Sequence, residues 1–260
     1  MSFCINEEAV KQRFSDYVSD YDVTNPKIKL KIDHTFRVAE ISREIAKSLK
    51  LGEEDISLAW LIGMLHDVGR FEQVKKYNTF IDAESENHAH LGCDILFGEG
   101  EIRNYIKDSS KDELIRTAIY YHSDYRLPEN LDDRTGMFAN ILRDADKIDI
   151  IRVQIDTPLE DIYNVTTAEL KNDIVSEQVM KAFYEKHAVL RSIKKTSVDN
   201  VVGHISLIFE LVYPKSLQIV KEEGYIYTLM NFSSYREETQ CQFMAIREFM
   251  DEFLNNTKPL

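Results

Sequence analysis

Leu61-Ile62-Gly63-Met64-Leu65-His66-Asp67-Val68-Gly69-Arg70-Phe71 is the stretch on which the fold turns. An apolar run at helical spacing ends in a histidine and an aspartate side by side, and Gly69 is expected to break the chain. An ionised carboxylate beside an imidazole, next to so much apolar surface, is costly unless something pairs with it. A divalent cation suits both groups, because neutral imidazole and carboxylate are both good metal ligands.

Working outward, the same helical period recurs on both sides. Acidic Glu53-Glu54-Asp55 opens the helix that carries Leu58, Leu61, Ile62 and Leu65, where negative charge suits an N-terminal dipole. Before it, a helix is expected from His34 to about Leu49, with Val38, Ile41, Ile45 and Leu49 on one face. Leu51-Gly52 should close that helix, since Gly favours the C′ position. A charged amphipathic helix is expected over 6–22, with Ala9, Phe14 and Val18 toward the core, and Thr24-Asn25-Pro26 should end or redirect it. After a less regular passage at 71–80, helices are expected over 83–96, 111–122 and 136–153. The last of these has Phe138, Ile141, Leu142, Ala145 and Ile148 as its buried stripe.

Beyond Pro158 the segments 167–186, 199–211, 214–223 and 235–255 read as amphipathic helices, with Gly224 and Asn231 as breaks. The best short strand candidate is 224–230, with Tyr225, Ile226 and Tyr227. Only 9 Gly and 5 Pro in 260 residues favour long helices over tight turns. The expected fold is all-α, a helical domain over 1–156 (core 28–155) with a C-terminal helical extension over 157–260.

Composition narrows the function. With 43% hydrophobic and 30% charged residues the chain can bury an ordinary core. A net charge of -13 argues against non-specific binding to nucleic acid and against an anionic membrane surface, which need basic patches. A small anionic substrate stays open, because a bound metal inverts the local field. Cys4, Cys93 and Cys241 are odd in number and far apart, which suggests free buried thiols in a reducing compartment. The N-terminal residues lack a signal-peptide pattern and no run reaches a membrane span, so a cytoplasmic location is expected. Oligomeric state is left open.

Five of the seven histidines precede residue 123: His34, His66, His88, His90 and His122. They sit at helix ends or on one helical turn, places from which side chains of separate helices converge in a bundle. A lone histidine is ordinarily a hydrogen-bonded core or surface residue. His66-Asp67 differs because the charge of the pair needs a partner, and Asp146 adds a carboxylate on another apolar helix. His187 and His204 lack acidic or cysteine neighbours at ligand spacing and read as structural.

The ordered set His34, His66-Asp67 and Asp146, the last within Ala145-Asp146-Lys147-Ile148, resembles the H…HD…D signature of the HD-domain superfamily of metal-dependent phosphohydrolases. The resemblance covers about 28–155 and leaves the C-terminal hundred or so residues unmatched. It implies an HD helical bundle with one metal held by His34, His66, Asp67 and Asp146. Two-metal members carry a further histidine four residues before a glycine, which His88 and Gly92 match, and another on the next helix, which His122 matches. That pattern implies a second metal on His88 and His122, with Asp67 bridging the two. His90 lies two residues off it and is expected at most near the substrate. The implied activity is hydrolysis of a phosphomonoester, nucleotide or related phosphoester by metal-activated hydroxide, with Mn, Fe, Co, Ni, Zn or Mg as the ion. The catalytic set is His66, Asp67, Arg70 and Lys147. Arg70 and Lys147 are the residues expected to hold phosphate oxygens, each with a plain salt bridge or solvent-facing role as the alternative.

Two other readings share the ligand set. A few HD relatives use a di-iron centre to oxidise a C–H bond with O₂. A metal-stabilised sensor or scaffold would need no turnover. The aromatic residues Tyr213, Tyr225, Tyr227, Phe232 and Tyr235 are expected to pack between helices, or else to cap the site and stack a base.

Overall fold

A computed structural model describes residues 5–158 and 165–256; Cys4 lies outside them. Among the described residues every regular element is helical and there is no strand, so the chain is all-α. No helix of the described residues is long and apolar enough to cross a membrane. Two compact units divide between Asp146 and Lys147.

In the first unit, α1 (Glu7–Ser19) begins at Asn6, whose side chain accepts from the Ala9 N–H. It buries Val10, Phe14 and Val18, whereas Ala9 is exposed, one position off the expected stripe. Helix α2 (Pro26–Ser48) starts eight residues before His34. Asn25 caps it by accepting from the Lys27 N–H, and Pro26 occupies the first turn, where a missing N–H costs nothing. Pro26 therefore opens a helix where the sequence suggested a break. Lys50, at φ 57, is the left-handed residue after α2. Gly52 has φ -68 and instead caps α3 (Glu53–Leu65).

Helix α3 is buried from Leu58 through Leu65 without interruption. A helix that is apolar all round is a central one, and α2 packs directly across it. At the crossing a Cβ on Gly63 would stand 2.7 Å from the Ala39 Cα, so glycine there is what permits the approach. The chain turns at His66-Asp67, not at Gly69, and α4 (Val68–Tyr77) follows at once, filling the stretch expected to be irregular. It ends in left-handed Asn78. A 3-10 turn (Asp82–Glu84), α5 (His88–Cys93) and a π turn (Asp94–Gly98) replace the single helix expected over 83–96. Then come α6 (Ile102–Tyr105), α7 (Asp112–Tyr120) and α8 (Asp133–Asp156). Phe138, Ile141, Leu142, Ala145 and Ile148 are all buried, as expected.

In the second unit, Thr167–Asn172 and Glu177–Tyr184 are separate helices, the first opened by a capping box of Thr166 and Glu169. Helices Ser197–Ser206, Pro214–Glu223, Tyr225–Met230 and Glu237–Asn256 complete it. Gly224 does break the chain, at φ 75. The best short strand candidate is a helix: Ile226, Leu229 and Met230 are its buried residues, at spacings of three and four that no strand would place on one face. Buried Phe183 meets Phe209 edge-on and Phe249 at a tilt, the latter two half-buried. Cys93 is a buried free thiol, while Cys241 is free but exposed, against expectation.

Candidate metal centre

His66 sits at the C-terminal end of α3, and Asp67 in the cap position before α4, so the turn between the two helices aims both side chains inward. Both are buried, at 0% and 2% exposure. Helix α2 brings in His34, α5 opens with His88, the turn after α7 carries His122, and α8 carries Asp146.

The two oxygens of Asp67 face different partners. Oδ2 lies 3.5 Å from Nε2 of His34 and 3.5 Å from Nε2 of His66. Oδ1 lies 3.5 Å from Nε2 of His88 and 3.9 Å from Nε2 of His122. Oδ1 of Asp146 joins the first group, 3.2 Å from His34 Nε2 and 3.8 Å from His66 Nε2. Two triads, His34–His66–Asp67 and Asp67–His88–His122, are thus compact enough for each to hold a metal ion, and they share Asp67.

The chemistry of this donor set fits a cation. Nδ1 of His66 donates to the Gly63 carbonyl at 2.7 Å, and Nδ1 of His122 donates to the Ile119 carbonyl at 2.7 Å. Nδ1 of His88 donates to Asp82 Oδ2 at 2.8 Å. With the Nδ1 protons assigned by these oxygen partners, three Nε2 lone pairs point at carboxylate oxygens and at each other. The Nε2 atoms of His34 and His66 are 3.3 Å apart, and those of His88 and His122 3.1 Å. For His88 and His122 acceptor thus faces acceptor out of water, which a positive charge between them would reconcile. Imidazole and carboxylate together suit Mn, Fe, Co, Ni or Zn better than Mg.

The electrostatics run the same way. Burial drives the His122 imidazole down to about 3, with His88 and His66 adding to the shift, so it is neutral and ligand-ready. Burial and then Arg70 lower His88 as well. Burial alone would raise the Asp67 carboxyl. Lys31, His66 and His88 outweigh it and hold Asp67 well below the usual carboxylate range. Asp146 is likewise held low by His34, His66 and His122 against its own burial.

Several neighbours escaped the sequence reading. Lys31, one turn before His34 on α2, places Nζ 2.6 Å from Asp67 Oδ2. Asp82 accepts from His88 on one oxygen and from Arg70 Nη1 and Gln73 Nε2 on the other, all at 2.8 Å. Gln73, fully buried, also donates to Ser85 Oγ and the Glu86 carbonyl, tying the Asp82 turn to α4. Arg143 on α8 donates to the carbonyls of Tyr121, His122 and Asp124 and fixes the turn that carries His122. The sequence offered a signal only for Lys31, whose three-residue spacing from His34 puts both on one helix face.

Of the residues expected to meet substrate, Arg70 is half inside the site. Its Nη1 donates to Gln73, Asp82 and the Phe80 carbonyl, while Nε stands 3.7 Å from Asp67 Oδ1. Lys147 is buried, directly after Asp146. His90 is held elsewhere, its ring stacked on Tyr120 with centroids 3.9 Å apart.

Two histidine clusters that share one buried aspartate are groups that could each hold a metal ion. Residues 32–151 match the family model of the HD domain. No curated protein and no solved structure matches the chain.

The role of Asp82 leads to a specific expectation. Asp82→Ala removes the acceptor that fixes the His88 tautomer, and loss of such a carboxylate typically weakens metal binding about 10–100-fold. Calorimetric titration with Mn²⁺ should show that loss for one class of site and leave the other near the wild-type affinity. Equal weakening of both classes would contradict the assignment of Asp82 to the His88 side of the site.

Proposed function

We propose that the protein is a metal-dependent phosphohydrolase that holds two divalent ions and cleaves a small phosphomonoester, nucleotide or related phosphoester. One observation carries this reading: Asp67 turns one oxygen to His34 and His66 and the other to His88 and His122. The HD domain, a family rich in metal-dependent phosphohydrolases, supports it.

His34, His66, Asp67 and Asp146 would hold one ion, and His88, His122 and Asp67 the other. Such a pair supplies Lewis acidity, lowers the pKa of water and neutralises charge on both oxygens of an in-line displacement. The chain's own residues do the rest. Gly63, Ile119 and Asp82 keep the Nδ1 protons of His66, His122 and His88 turned outward, so that their Nε2 atoms stay free of protons. Arg70, anchored through Nη1, keeps a fixed positive charge beside Asp67 Oδ1, and a bidentate guanidinium matches phosphoryl oxygens. Lys147 is assigned a neutralising role beside Asp146.

A panel of p-nitrophenyl phosphate and nucleotides, with each candidate metal, tests the reading. Metal-loaded protein is expected to hydrolyse at least one member and chelator-treated protein none. If loading accelerates no phosphoester, the reading fails; substrate-dependent O₂ uptake would replace it with the oxygenase reading.

A further inference from the structure

Lys31 touches one oxygen of the shared aspartate directly. Its Nζ is 2.6 Å from Asp67 Oδ2, the oxygen that also faces His34 and His66. Its side chain is 13% exposed, against 2% for Asp67, so it reaches from the site's edge inward. Nζ also stands 5.5 Å from the Phe80 ring centroid, and the Arg70 guanidinium stands 5.8 Å from the same ring. The two cations therefore flank one aromatic side chain, with Lys31 serving Oδ2 of Asp67 and Arg70 turned to Oδ1. The Nε of Arg70 is buried and makes no hydrogen bond, with Asp67 Oδ1 at 3.7 Å its ion-pair neighbour.

A dication in the His34–His66–Asp67 triad and the Lys31 ammonium would compete for the same oxygen. At this separation two positive charges repel strongly in a buried setting. The lysine has a long flexible stem and a partly open position, so the ammonium is the charge that yields. Released from Oδ2, it remains beside Phe80 and Arg70, where the other fixed positive charge lies.

We propose that Lys31 is an anion-anchoring residue with two states. In metal-free protein it is the counter-ion of Asp67; in metal-loaded protein it binds a phosphoryl oxygen of the substrate, alongside Arg70. The second state rests on the phosphohydrolase reading given above.

The test compares wild type, Lys31→Met and Lys31→Arg in two calorimetric titrations: Mn²⁺ into metal-free protein, and inorganic phosphate into Mn²⁺-loaded protein. Lys31→Met is expected to bind Mn²⁺ at least as tightly as wild type, since a competing charge is gone. Its phosphate affinity should fall about tenfold or more, the usual effect of losing a charged hydrogen bond. Lys31→Arg should recover most of that affinity, and KM for any hydrolysed ester should rise more than kcat falls in Lys31→Met. Weaker Mn²⁺ binding in Lys31→Met would make the residue a brace of the metal site and overturn the proposal. So would unchanged phosphate affinity, which leaves the phosphohydrolase reading standing if the loaded wild type still hydrolyses esters. Loaded wild type that neither binds phosphate nor hydrolyses an ester overturns both.

Discussion

Asp67→Asn is expected to abolish metal-dependent phosphoester hydrolysis while leaving a folded protein. The substitution keeps the shape of the side chain and removes the charge that the two histidine pairs and Lys31 share. Metal acting as Lewis acid and as source of the nucleophile is worth several kcal/mol, which corresponds to about a thousandfold in rate or more. Asp67→Ala should be worse. It also leaves the Lys31 ammonium, 13% exposed, without its buried partner. Breaking a buried ion pair from one side costs about 3–5 kcal/mol. The rates of both variants under saturating Mn²⁺ check the first claim, and urea midpoints of the metal-free proteins check the second. An Asp67→Asn protein that hydrolyses within tenfold of wild type would mean that chemistry does not pass through this carboxylate.

The largest effect on stability is expected from Gly69→Ala. A Cβ at Gly69 would overlap the His88 carbonyl oxygen and lie 2.6 Å from the Gly92 N and 3.1 Å from the Gly92 Cα. All three neighbours are backbone, so α4 and α5 would have to separate. Overpacking of this kind costs about 1–3 kcal/mol, and backbone obstruction puts this case at about 3 or above. Because His88 opens α5, the same displacement moves a metal ligand, and ion binding at the His88–His122 pair should weaken with it. Gly136→Ala is the matched control. Nothing lies within 4 Å of its Cβ position, and alanine in a helix is favoured by up to about 1 kcal/mol. Denaturant midpoints should fall for Gly69→Ala and hold or rise for Gly136→Ala. Equal midpoints would show that the two helices are not in the close contact described.

The same glycine shows what sequence could and could not convey. Beside His66-Asp67 it suggests a chain break, yet its function is close approach to a helix about twenty residues further on. A residue's tolerance for contact is legible only once its neighbour is known. Periodicity carried the long helices well, α3 and α8 above all, because their apolar residues are dense. It failed where local chemistry overrode the period: Pro26 opens α2 because Asn25 caps it, and Lys50 rather than Gly52 takes the left-handed turn. The 224–230 segment is too short for period two and period 3.6 to be told apart by eye.

The site divides along the same line. His34, His66, Asp67, His88, His122 and Asp146 stand out by residue type and order, and the fold brings each of the six within 3.9 Å of another member of the set. The residues that hold them in place do not stand out. Asp82 lies in an unremarkable acidic loop, and only folding sets it 2.8 Å from His88 Nδ1. Arg143 is one arginine among many until its guanidinium meets three carbonyls of the His122 turn.

The central claim is that Asp67 joins two distinct metal positions. Elemental analysis of metal per chain, after loading and desalting, tests it most directly in wild type and four single variants: His34→Ala, His66→Ala, His88→Ala and His122→Ala. With two triads sharing one residue, wild type should retain about two ions. His88→Ala and His122→Ala should retain about one, held by His34, His66, Asp67 and Asp146, while His34→Ala and His66→Ala lose that ion. Equal loss from all four variants, or a single ion in wild type that every variant abolishes, would contradict the two-position account.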